Sequence, residues 1–141
     1  MLVEIKQTSI ILCCTILTGC FIHPMPIRSA IISLKTDGQP CFKVKKESVT
    51  ANNQSRILDI VVHKLFKDGD MHEVWSSNDL HYPIKVVVPG QCIPVEYHFE
   101  PYQKYSVTIY TIVPPDKVET KRFWGAEFQL QDLQPEYIIK R

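Results

Sequence analysis

The sequence predicts an all-β protein: a two-sheet antiparallel sandwich of seven or eight short strands, preceded by a signal peptide. Three observations predict it. Apolar residues recur at every second position in short runs, the period of a half-buried strand rather than of a helix. Asp-Gly, Pro-Gly and Pro-Pro steps separate the runs, and these are turn and breaker signals. Ten prolines and only five glycines, with many Val, Ile, Thr, Tyr and Phe, favour strands and turns over helices. No convincing amphipathic helix and no internal repeat interrupts this reading. The inner faces of two such sheets form one core.

The first element lies outside the sandwich. Thr8 to Thr18 is an apolar run behind a charged start carrying Glu4 and Lys6, the layout of an export signal. A membrane span needs roughly 20 apolar residues, and Thr15, Thr18, Gly19 and His23-Pro24 interrupt this run sooner. The run closes on Leu17-Thr18-Gly19-Cys20, which resembles the lipobox of bacterial lipoproteins. The resemblance implies that residues 1–19 are a removed signal peptide and that Cys20 carries covalent diacylglycerol and acyl (palmitate) chains. Phe21, where an aspartate would retain a lipoprotein at the inner membrane, implies the outer membrane, with the domain facing the periplasm. Residues 20–26 then form a lipidated tether stiffened by Pro24 and Pro26. Residues 27–141 form the sandwich domain.

Within the domain, Ala30, Ile32 and Leu34 share one face of a first strand, and Asp37-Gly38 turns the chain into Cys41–Lys45 with Phe42 and Val44 inward. That phase places Cys41 at the strand mouth on the polar side. Arg56 to Phe66 is the longest strand. Leu58, Ile60 and Val62 line one face and Ile57, Val61 and Leu65 the other, a central position partly covered on its second side. Lys67-Asp68-Gly69-Asp70 is a hairpin signal whose two central residues are expected at positive φ. Met71–Ser76 returns as the partner strand with Trp75. Ile84, Val86 and Val88 are in phase in the next run, which Pro89-Gly90 ends. In Cys92 to Phe99 the residues Val95, Tyr97 and Phe99 alternate, although Pro94 keeps the first half off a central ladder. Arg122 to Leu130 closes the set with Trp124, Ala126, Phe128 and Leu130 on one face.

Phe99 to Ile109 is the most informative stretch of the domain. After Pro101, Tyr105, Val107 and Ile109 alternate inward, a spacing that resembles the tyrosine corner of fibronectin type III and related immunoglobulin-like sandwiches. The resemblance implies an inward Tyr105 whose hydroxyl bonds to backbone a few residues upstream. Of the five cysteines, Cys13 and Cys14 leave with the signal peptide and Cys20 takes the lipid. Cys41 and Cys92 remain, an even pair in an oxidising compartment, and are expected to form a disulfide that fastens an edge; two buried free thiols are the alternative.

Chemistry-bearing patterns are few. Net charge is +1, which favours neither nucleic acid nor an acidic membrane surface as the main partner. His63, His72 and His81 could meet Asp68 or Asp70 at a metal, but no histidine pair has compact ligand spacing and the acidic run lacks the oxygen series of a calcium loop. Glu96 and Glu100 share a strand face without forming a catalytic pair. Lys43, Lys45 and Lys46 suit a solvated strand edge. No nucleophile motif or phosphate loop occurs.

The sequence therefore predicts a protein that is not an enzyme and needs no metal or cofactor beyond its lipid. Its expected partners are the membrane, through the anchor, and another protein. Asp68, Asp70, Trp75, Tyr102 and the 77–82 loop are the candidate partner contacts. The lipobox, Cys41-Phe42, and Cys92-Ile93-Pro94 ahead of a Tyr-x-Val strand together resemble the periplasmic immunity lipoproteins of type VI secretion systems. That resemblance implies neutralisation of a cognate toxin effector by occlusion. A structural or assembly lipoprotein of the envelope is the alternative.

Overall fold

A computed structural model of the chain describes residues 26–46, 55–77, 86–113 and 120–136. The signal segment, Cys20, positions 78–82 of the 77–82 loop and the last five residues of the 27–141 domain lie outside these. The described chain is an all-β sandwich of two sheets. Its strands are β1 (Ile27–Ser29), β2 (Ile31–Leu34), β3 (Pro40–Lys43), β4 (Ser55–Leu65), β5 (Met71–Ser76), β6 (Val86–Val87), β7 (Tyr105–Ile112) and β8 (Arg122–Phe128), followed by a 3₁₀ turn at Leu130–Asp132. No helix among the described residues is long and apolar enough to cross a membrane.

The main sheet runs β1-β8-β7-β4-β5, with β6 also paired to β4. A sheet lengthened beyond its central strand by that strand's hairpin partner is the immunoglobulin-like plan. One edge departs from the expected antiparallel order, because β1 lies parallel to β8 and pairs Ile27 with Phe123 and Ser29 with Gly125. The predicted first strand is therefore two strands. It leaves the main sheet at Ala30, whose N–H still donates to the Gly125 carbonyl at 2.9 Å, and continues as β2 in the smaller sheet. Gly125 permits this crossing. A Cβ there would sit 2.9 Å from the Ile27 side chain.

β4 shows why its pattern looked two-faced. A register shift between Ile57 and Asp59 in its pairing with β7 places a bulge at Leu58. The extra residue returns Ile57 to the face of Ile60 and Val62, and all three are buried. The phase of β6 is the reverse of that expected. Val87 points inward while Val86 and Val88 are exposed, since three consecutive valines carry no readable period.

The smaller sheet pairs β2 with β3 antiparallel and is extended by an isolated bridge between Phe42 and Ile93. The predicted Cys92–Phe99 strand makes no further ladder. Its side chains nevertheless point inward, with Phe99 buried and Val95 and Tyr97 packed against the core. Where the sheets meet, Phe42 from the small sheet sits 5.8 Å from Phe99 and 5.6 Å from Phe128, and Phe99 sits 5.0 Å from Tyr105. These tilted and edge-on rings are the favoured aromatic geometries, and they fix the two sheets against each other.

Candidate functional site

Strand direction divides the sandwich into two poles. Tyr105 pairs with Phe128 and with Lys64, so the β4–β5 hairpin, the 99–104 loop and the 3₁₀ turn gather at one end. The β2–β3 hairpin joins them, because the Gln39 side chain bonds to Phe99. Thr111 pairs with Arg122 and Ile27 with Phe123, so the described chain starts at the opposite end. Eight strand residues separate the poles, about 25 Å.

The first pole is built on two hairpins with the same turn chemistry. In Lys35–Gln39, the Gly38 N–H donates to the Lys35 carbonyl and the Lys35 N–H to the Gln39 carbonyl; Phe66–Asp70 repeats this with Gly69, Phe66 and Asp70. Only the glycines, at φ 78° and 88°, take positive φ. The Asp68-Gly69 turn is thus a type I turn closed by a glycine bulge, and the expectation of two positive-φ residues is corrected. In each turn the aspartate carboxylate accepts a backbone N–H two residues on, Asp37 from Gln39 and Asp68 from Asp70, both at 2.9 Å. Those bonds hold both carboxyls below the usual aspartate range, helped at Asp68 by His72 and at Asp37 by Lys35.

Between the hairpins lies the 99–104 loop, fastened at four places. Gln39 grips Phe99 like a strand, its amide donating to the Phe99 carbonyl at 3.2 Å and its oxygen accepting the Phe99 N–H at 2.9 Å. The Glu100 N–H donates to the Tyr105 hydroxyl at 3.1 Å, and Tyr105 is fully buried. The Glu100 carboxylate accepts from the Lys64 ammonium at 2.7 Å. That contact lowers the Glu100 pKa and raises that of Lys64. The Tyr102 N–H donates to the Gln131 side-chain oxygen at 3.0 Å. Beneath the loop, burial and then a hydrogen bond with Tyr105 push the Tyr97 phenol up to about 12.

Held this way, Tyr102 is 79% exposed and adopts φ 59°, a left-handed conformation that costs a non-glycine residue roughly 1–2 kcal/mol. Phe66, 46% exposed, shares the pole, with the Lys64 ammonium 6.0 Å from its ring. Asp68, Asp70 and Tyr102 are thus brought to one end. Trp75 is not. It pairs with Val62 in mid-strand and packs half-buried against the core, while Ser77 is tied to Asp59 and Ile60. Gln39, Gln131, Phe66 and the Lys64–Glu100 pair escaped sequence reasoning. Only Phe66, an aromatic beside an Asp-Gly turn, carried a usable signal.

The weaker candidates resolve locally. His72 bonds Asp68 at 2.7 Å, and their atoms with those of Asp70 lie within 4.8 Å of one another, all exposed. His63 lies in β4 opposite Glu73, and His81 is outside the described residues. Lys43 pairs with Glu136 at 2.7 Å, leaving Lys45 and Lys46 exposed. Cys41 and Cys92 form a disulfide with Cα atoms 5.1 Å apart. It joins β3 to the neighbouring Ile93 segment, so it fastens the small sheet without crossing the core. Cys41 is 1% exposed rather than on a polar face, since Cys92 and the Glu136 carboxylate lie over it.

No curated protein and no solved structure matches the chain. A family described as a domain of unknown function, DUF7480, matches residues 27–133, from β1 through the 3₁₀ turn. The chain belongs to the DUF7480 family.

Proposed function

We propose that the protein is a lipid-anchored, non-catalytic binding protein of the cell envelope that neutralises a cognate type VI toxin by covering it with the Tyr102 pole. The observation that carries this reading is the four-point fastening of a loop whose tip is an exposed aromatic. A pre-ordered loop loses little entropy on binding, and tyrosine supplies large contact area with few rotatable bonds. Backbone strain of this kind gathers at binding and active sites, and Tyr102 keeps it at an exposed position. The mixed charges around it, Lys35, Lys64, Lys67 and Lys104 with Asp37, Asp68, Asp70 and Glu100, suit a polar rim around aromatic anchors.

Deleting the gene in a strain with an active type VI system and competing it against its parent tests the reading. The deletion strain should be killed, and complementation with Tyr102→Ala should protect less well while unfolding at an unchanged denaturant concentration. Tyr102→Gly should lose protection too, yet be more stable by about 1 kcal/mol as the left-handed strain is relieved. Equal survival of deletion strain and parent, with no neighbouring toxin retained by the purified protein, rejects immunity in favour of a structural or assembly lipoprotein.

A further inference from the structure

We infer that the opposite, N-terminal pole is a membrane-facing surface that seats on anionic phospholipid and directs the Tyr102 pole away from the bilayer. The inference rests on the lipid-anchor reading of Cys20 and adds an orientation to it. Residues 21–25 separate Cys20 from the start of the described chain, a reach of at most about 20 Å. The pole carrying β1 is therefore the part of the domain held closest to the lipid.

Its composition fits that place. Across the main sheet at this end come Ile27 and Arg28 on β1, Lys121 and Arg122 at β8, Arg56 on β4 and Val86 on β6. Lys45 and Lys46 leave β3 toward the same end, where the Val44 carbonyl accepts the Gly90 N–H at 3.3 Å. Ile27 is 68% exposed, Val86 49% and Val88 43%, half of the exposed large hydrophobics among the described residues. Asp59, opposite Tyr110 near this pole, is engaged by Ile60 and Ser77. Others, including Asp37, Asp68, Asp70 and Glu100, gather at the far pole. Among the described residues cations therefore predominate at this pole, whereas lysines and carboxylates mix at the far one. Burial and the nearby Arg122 lower the Arg28 pKa, so two cations of adjacent strands lie side by side at this pole. Cations over phosphates with aliphatic side chains at the headgroup boundary is the pattern of interfacial binding.

The test is hydroxyl-radical footprinting of the protein purified from the envelope, on vesicles of phosphatidylethanolamine with or without phosphatidylglycerol. Oxidation of Ile27, Val86 and Val88 should fall on the anionic vesicles, while that of Phe66 and Tyr102 stays constant and reports an intact fold. Lys45→Gln, Lys46→Gln and Lys121→Gln should restore oxidation, each lowering the seated population about fivefold. The far-pole pair Lys67→Gln and Lys104→Gln should not. Equal oxidation on both vesicle types overturns the inference. So does protection that grows with protein concentration without vesicles, which would place a second copy on the pole. Intact mass tests the anchor separately. A Cys20 without lipid ends the anchor reading, and the footprint on added vesicles still decides whether the pole binds anionic lipid.

Discussion

The two sheets of the sandwich are held together by different means. In the main sheet, β4 and β7 pair over almost their whole length, from Arg56–Ile112 to Lys64–Tyr105, and β8 and β5 extend the ladder. In the small sheet, β2 and β3 pair over four residues, and residues 94–99, which follow the Ile93 bridge, join no ladder. What replaces the ladder is a set of side-chain and covalent fastenings: the Cys41–Cys92 disulfide, the Gln39 grip on Phe99, and the Lys43–Glu136 ion pair. Backbone polar groups must be satisfied somewhere. Where Pro94 and Pro101 leave the chain without a ladder, side chains do it instead.

The largest test of this contrast is Phe42→Ala. Phe42 is the small sheet's fully buried ring and meets Phe99 and Phe128, so its loss should cost about 3–5 kcal/mol in denaturant unfolding. A much smaller loss would mean that the fastenings, and not the aromatic core, hold the small sheet down.

Next comes the disulfide. Replacing Cys41 and Cys92 together with Ser opens a loop whose ends are 51 residues apart, for a loss of about 4 kcal/mol on the chain-entropy account. The sharper readout is local. Hydrogen exchange of the Ile93 amide, bonded to the Phe42 carbonyl at 2.8 Å, should quicken well before that of amides in the β4–β7 ladder. Uniform quickening would show that the two sheets unfold as one unit.

Gln39→Ala should cost less, about 1–2 kcal/mol, by leaving the Phe99 N–H and carbonyl unpaired. Tyr105→Phe removes one hydroxyl at the same loop and should cost about 1 kcal/mol. If both changes are neutral, water replaces these bonds and the loop is not pre-ordered by them.

The same division explains what the sequence made legible. Main-sheet strands announced themselves. Met71–Ser76 has the expected bounds, the inward set of Trp124, Phe128 and Leu130 is buried, and the Tyr105 stretch alternates as expected. In the last two, period two repeats enough times to fix phase, whereas Met71–Ser76 was bounded by the Asp-Gly turn before it. The bulge at Leu58 was written in β4 as apolar residues on both faces, but one chain alone does not distinguish a bulge from a covered second face. In the small sheet the Cys41–Cys92 bridge and the inward Phe42 and Val44 were legible, but contacts with partners distant in sequence were not: Gln39 on Phe99 and Lys43 on Glu136 there, and β1 along β8 in the main sheet. The candidate site was half legible for the same reason. Asp68, Asp70 and Tyr102 are turn and loop residues recognisable locally. The gathering of two hairpins and a loop at one pole, with Trp75 left out, follows only from strand order.

The smallest expected effect uses the twin hairpins, one on each sheet. Asp37 and Asp68 accept equivalent backbone N–H bonds and both have lowered pKa values. A carboxyl whose folded pKa is depressed contributes stability above its unfolded value, about 3.9 for aspartate, and that contribution disappears as pH falls through the lower folded value. The Lys64–Glu100 pair adds the same acid loss through Glu100. Lys64, whose pKa is raised, contributes below the ordinary lysine range and loses its contribution as pH rises through its folded value. Between roughly pH 5 and 9 these groups therefore leave stability flat. All four are solvated and salt-screened, so acid should loosen the turns without unfolding the sandwich. Amide chemical shifts of Gln39 and Asp70, followed down to strongly acidic pH, should titrate with midpoints below about 3.9. Equal midpoints would show the turn itself setting the carboxylate. A lower midpoint at Asp70 alone would trace the difference to His72, and a midpoint at or above the ordinary value in either hairpin would show that its aspartate does not hold the turn.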